Sequence, residues 1–137
     1  MPVPYTYDDT RNTVDCRPHG VVVISEVVAF FDAVLADEDV REGAIEVVYI
    51  SGVDDFQFSS AEAHVIPKKI LEIRQRKGLQ ATVIIAEGDL HFGVARMIQI
   101  LHELADENYP AKIIRSEVQL EDTLSALSRL EQQVRAE

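Results

Sequence analysis

Short β-branched runs alternate along this chain with segments whose apolar residues recur at helical spacing, and that alternation constrains the fold most. Ile45 to Ile50 and Ala81 to Ala86 have strand length and β-branched content, and read as buried strands. Around them, Val27, Phe30, Phe31, Val34 and Leu35 recur as one helix face, and Ile66, Ile70 and Ile73 as another. A third helix is expected to present Leu90, Val94, Met97, Ile98, Leu101 and Leu104 as an unbroken apolar face. A fourth, about Leu120 to Val134, turns Leu120, Leu124, Leu127 and Val134 inward, with its acids early and Arg129 and Arg135 late, as the helix dipole favours. Lys112 to Arg115 supplies a last short strand. Tyr5 to Asp9 and Thr13 to Arg17 flank the polar cluster Asp9-Thr10-Arg11-Asn12 and read as an opening hairpin.

The resulting order, β-β-α-β-α-β-α-β-α, predicts an α/β fold. It has a single mixed, mostly parallel sheet of about five strands, with four helices and right-handed crossovers. The opening hairpin adds an antiparallel edge. Residues 1–137 form one domain in this reading, with no repeat and no linker.

Local signals mark the helix ends. Ser25 is expected to cap the first helix, and Asp89 the third. Ser59 and Glu62 have the S-x-x-E spacing of a capping box, and Gly78 is a stop. Pro67 lacks a donor and clashes with the preceding turn, so a kink or a second helix start is expected there. Ser51 to Phe58 reads as a loop leaving the central strand.

Composition bounds the function. The 137 residues are 47% hydrophobic and 27% charged, an ordinary globular balance. A net charge of −11 argues against nucleic acid and anionic membrane surfaces as partners, since both repel such a chain at long range. One cysteine, Cys16, cannot form an internal disulfide, and it reads as a small buried filler. No cationic-then-apolar stretch opens the chain and its apolar runs are too short to span a bilayer, so a cytoplasmic protein is expected.

Chemistry-bearing residues are scattered. His19, His64, His91 and His102 have no metal-ligand spacing, so no metal and no cofactor are expected. Asp54 and Asp55 fall after the central strand, where open α/β sheets bind ligands. An enzyme would need one of them to converge with His91, and this is the least favoured reading. Lys68, Lys69, Arg74, Arg76 and Lys77 place five of the thirteen basic residues on the second helix. A solvated helix surface is the simpler account of them, a docking face the alternative.

The order of elements, Ser51-Gly52-Val53, Phe58-Ser59-Ser60 and the stretch Asp89 to Met97, with its Phe92-Gly93-x-Ala95-Arg96-Met97, carry a resemblance. From Tyr5 to about Leu130 the chain resembles the SpoIIAA-like family, relatives of the STAS (sulfate transporter and anti-sigma-factor antagonist) domains. The resemblance implies a non-catalytic regulatory or protein-interaction module that acts through a protein partner, and the same reading expects the chain to be able to self-associate as a homodimer. It implies a partner-binding or phospho-acceptor region at Ser59, Ser60, Asp54 and Asp55, with Ser60 at the position phosphorylated in the antagonists. Where those proteins have aspartate before the serine pair and glycine after it, this chain has Phe58 and Ala61. The alternative is a small carrier of an apolar, lipid-like ligand held between sheet and helices, lined by Phe30, Phe31, Phe56, Phe58 and Phe92.

Overall fold

The computed structural model describes the backbone of residues 3–136 and the side chains of residues 3–130. Five strands form the main sheet in the order β1-β2-β4-β6-β7: β1 (Tyr5–Asp8), β2 (Thr13–Cys16), β4 (Ile45–Tyr49), β6 (Ala81–Ile85) and β7 (Ala111–Ile114). β1 pairs antiparallel with β2, and every other ladder is parallel, so the hairpin lies at the sheet's edge as expected. Its turn closes on Asn12 at φ 55°, a left-handed position that asparagine tolerates better than most residues.

The expected loop Ser51 to Phe58 is instead mostly strand. β3 (Gly20–Val23), which the sequence reading leaves unassigned, pairs in parallel with β5 (Val53–Gln57) as a separate two-stranded sheet. These strands continue the chain from β2 and β4, which are themselves neighbours, after the bends at Pro18-His19 and Ser51-Gly52. Asp54 and Asp55 hid β5 in the sequence. Two acids in a row oppose strand propensity, but both point away from the core here and are exposed.

Four long helices cover the sheet: α1 (Ile24–Ala36), α3 (Val65–Lys77), α4 (Asp89–Ala105) and α5 (Leu120–Ala136). One short turn, α2 (Ser60–Ala63), precedes α3, and a 3₁₀ turn, Glu117–Gln119, precedes α5. The break between α2 and α3 at His64 is the second helix start that Pro67 predicts. Pro67 falls in the first turn of α3, where its missing N–H would have had no intrahelical partner. The capping box forms as read: Ser59 Oγ accepts from the Glu62 N–H at 3.1 Å, and Glu62 Oε1 from the Ser59 N–H at 2.9 Å. Gly78 ends α3 at φ 66°, where a Cβ would lie 2.7 Å from the Glu42 side chain.

Two caps differ from expectation. β3 runs directly into α1, so the helix begins at Ile24, and Glu26 Oε1 rather than Ser25 takes the Val23 N–H. Gly88 precedes α4, leaving Asp89 inside its first turn, paired with Arg115.

Strand alternation sends side chains to two separate cores. On one face, Val14, Cys16, Val48, Ile50, Ile84 and Ala86 meet α1, α3, α4 and the small sheet. On the other, Ile45, Val47, Ala81, Val83 and Ile85 meet Leu120, Leu124 and Leu127 of α5. Val134, expected to point inward, lies outside the described side chains. No helix among the described residues is long and apolar enough to cross a membrane.

Candidate functional site

The apolar run of β4 contains one charged residue. Glu46 points to the face covered by three long helices, flanked in register by Val14 of β2 and Thr82 of β6. A carboxyl there needs partners, because an unpaired charge in such surroundings costs several kcal/mol. It finds two on the same oxygen: Thr82 Oγ1 donates to Oε1 at 2.9 Å, and His102 Nε2 lies 3.0 Å from it. Glu46 is 4% and His102 2% exposed, which makes this the most deeply buried ion-pairing contact described.

The bonding partners fix the direction of two further hydrogen bonds. His102 Nδ1 sits 2.8 Å from the Ile98 carbonyl, which only accepts, so Nδ1 carries a proton. Thr82 spends its hydroxyl proton on Glu46, so the Tyr109 hydroxyl, 2.8 Å away, donates to Thr82 Oγ1. Burial first, then the nearby Glu46 charge, push the Tyr109 phenol well above its ordinary pKa. Tyr109 is therefore held as a neutral donor. Its ring stacks with His102 at 6.2 Å and takes the Arg74 guanidinium at 5.0 Å. The same two causes raise the Cys16 thiol, which holds it as an unreactive thiol rather than a nucleophilic thiolate.

Sequence reasoning missed this network. The signal was present, since a lone acid within a buried strand run has to be matched by a buried donor, and His102 on an apolar helix is such a donor.

The network also explains a second departure. α4 was expected to bury Leu90, Met97 and Leu104 together with Leu101. Instead Ala95, Leu101 and His102 are its buried residues, and Val94 and Ile98 pack beside them. The bonds from His102 to Glu46, and from His91 Nε2 to the Val53 carbonyl at 3.2 Å, fix the rotation of the helix. Leu90 is left 84% exposed, Leu104 63%, Ile100 45% and Met97 38%.

Beside the network lies an apolar cavity of about 60 Å³, lined by Phe30, Phe31, Phe56 and Phe58 together with Val22, Met97 and others. Four of the five phenylalanines expected around a ligand are thus brought together. Phe92 is not: it faces outward from α4 under the Arg115 guanidinium, 4.9 Å from its ring centre. The volume is small. Pockets for drug-sized ligands run to about 300 Å³ or more, and a cavity of about 150 Å³ is what admits benzene.

The remaining candidates lie at the surface. Ser59, Ser60, Asp54 and Asp55 are all exposed, the serines at the start of α2 and the aspartates on β5. Ser59 Oγ is engaged in the capping box, while Ser60 is exposed in the first turn. His91 bonds the carbonyl of Val53, the residue before Asp54, rather than a carboxylate. The basic residues of α3 are largely engaged within the chain: Lys69 with Asp32, Arg74 with Asp106, Arg76 with Glu72, and Lys77 with the Asp37 carbonyl. Among the described residues no group of three or more His, Cys, Asp or Glu side chains is arranged to hold a metal ion.

Comparison with known proteins agrees on architecture. No protein-family model matches the chain, and no curated protein does. Among solved structures it is similar to the crystal structure of an uncharacterised protein of the DUF3478 family with a SpoIIAA-like fold, from Shewanella loihica PV-4. The two share 13% sequence identity over 90% of this chain and 93% of that chain, with a TM-score of 0.53. The fold of this chain is SpoIIAA-like, as its resemblance to that family implied.

Proposed function

We propose that this chain is a non-catalytic protein-interaction module of the regulatory kind that its resemblance to anti-sigma-factor antagonists implies, and that α4 is its docking face. One observation carries the reading: Leu90, Met97, Ile100 and Leu104 stand exposed along one helix. Large apolar side chains scattered singly on a surface need no explanation, but an aligned row of them is a mark of an interaction site. The charge of −11 favours protein partners over nucleic acid or anionic membrane, in the cytoplasm or another aqueous compartment. Ser60, exposed at the start of α2 just after β5, is the position at which phosphorylation would add charge near the small sheet.

The carrier reading draws on the phenylalanine-lined cavity, and its volume restricts it to an apolar group of a few heavy atoms.

The test places a photo-crosslinking amino acid at Ile100 and irradiates the cells that make the protein. A discrete adduct with another polypeptide is the expected result. A chain that stays uncrosslinked at Ile100, while folding normally, overturns α4 as the docking face.

A further inference from the structure

We propose that the exposed stripe of α4 pairs antiparallel with the same stripe of a second copy of this chain. The inference rests on α4 being a docking face and identifies what covers it.

The spacing is the first argument. Leu90, Gly93, Met97, Ile100 and Leu104 follow one another at intervals of three, four, three and four residues, the repeat that keeps one seam of a helix against another helix. All five positions are exposed. Gly93 is the one residue of the seam without a side chain, and a Cβ built there meets nothing within 4 Å. A glycine inside a helix is unfavourable, so a position with free space all round has no need of one unless another surface approaches closely.

A two-fold axis between Met97 and Ile100 sets each of these residues opposite the other in the second copy. The same register sets Leu104 over Gly93, a large knob over an open socket, at both ends of the contact.

Charge fixes the direction. Arg96 and Glu103 are exposed, seven residues apart on the same side of the seam, and neither forms an ion pair among the described residues. Antiparallel pairing brings Arg96 of each copy beside Glu103 of the other, twice by symmetry. Parallel pairing would instead bring Arg96 towards Leu101, and both charges would go unmatched. The seam is thus complementary to itself in one orientation only. This matters on a chain of net charge −11, for which self-association otherwise works against repulsion.

Sedimentation equilibrium of the full chain at physiological ionic strength tests the proposal. The wild type should show a monomer–dimer equilibrium, and Ile100→Glu should be monomeric, with the thermal melt the wild type shows at concentrations too low for dimer. Arg96→Glu and Glu103→Arg should each weaken dimerisation about ten-fold, and the double variant should regain the wild-type constant. Gly93→Leu should abolish the dimer without lowering the melting temperature, because it fills the socket while favouring the helix. A wild type that stays monomeric at every concentration overturns the proposal, and so does a dimer indifferent to the charge exchange or to Ile100→Glu. Crosslinking at Ile100 then separates the two readings. A heterologous adduct keeps α4 as a docking face for another protein, and no adduct removes both.

Discussion

The two faces of the main sheet are made by the same strands and have little in common. Beneath α5, Ile45, Val47, Ala81, Val83 and Ile85 meet three leucines in an apolar layer. Beneath α1, α3 and α4, the alternate residues of the same strands include Glu46 and Thr82, and the layer above them holds His102, Tyr109 and an unfilled space. One residue's shift along β4, from Val47 to Glu46 or Val48, passes from the first environment to the second. A side chain's contribution here follows its face rather than its strand. The α5 face buries Thr13 and Asp15 of β2 at its margin, while the face that holds the Glu46 network and the spare volume is the one whose geometry leaves the α4 stripe uncovered.

The largest effect expected from this contrast is at the buried pair. His102→Ala leaves Glu46 with Thr82 as its one side-chain partner described and should cost about 3–5 kcal/mol in denaturant unfolding, while Glu46→Met with His102→Leu should be neutral or stabilising. If the single and double variants cost the same, the pair is not coupled and the polar character of that face has no energetic meaning.

Adjacent residues give a sharper version. Val47→Ile must fit a fully buried site beneath α5, outside the phenylalanine-lined cavity, and should cost about 1–3 kcal/mol. Val48→Ile adds the same methylene beside the cavity and should gain about 0.5–2 kcal/mol. Equal signs for the two would erase the distinction between the faces.

Alkaline pH acts on both faces, because burial raises the Tyr49 phenol beneath α5 as well. Burial raises Tyr109 and Cys16 on the crowded side, and burial with the Asp37 hydrogen bond takes Tyr5 to about 12. The native state keeps these protons while the unfolded chain releases them from about pH 9 to 10 upward. Stability is therefore fully present below that range and declines as pH rises towards the native values. Tyr109→Phe should remove part of the decline in a urea titration.

The smallest effect is at Asp15, buried on the α5 side of β2, where burial raises its pKa against the lowering by Thr13 and then by Arg11 and Arg17. Its charged form costs stability above the native pKa, so Asp15→Asn should raise the unfolding free energy at neutral pH by about 0.5 kcal/mol or less. A loss would mean that the arginines outweigh the burial.

Much of the fold was legible in the sequence because local rules and tertiary demands agree there. Ile45 to Ile50 and Ala81 to Ala86 carry β-branched side chains to both faces, and Ser59, Glu62, Pro67 and Gly78 signal helix ends by backbone chemistry alone. The rest depended on partners distant in sequence. Glu46 and His102 are 56 residues apart, and neither has meaning without the other. The rotation of α4 follows from that pair, so its row of exposed apolar residues could not be read from a periodicity that fits the opposite rotation nearly as well. Four phenylalanines converge as expected because they lie on elements adjacent to one face, while Phe92 follows α4 outward. β3 and β5 escaped notice because each is short, and one is acidic.

Those two strands have a further consequence. Each has only the other as a ladder partner, and an isolated pair of strands is marginal without support from its side chains. Val22, Phe56 and Phe58, which belong to or follow these strands, also form part of the cavity wall. The small sheet therefore opens as a unit at a lower cost than the main sheet, and its amides should exchange with solvent deuterium well before those of β4 and β6. Each opening exposes the phenylalanines to whatever is dissolved outside.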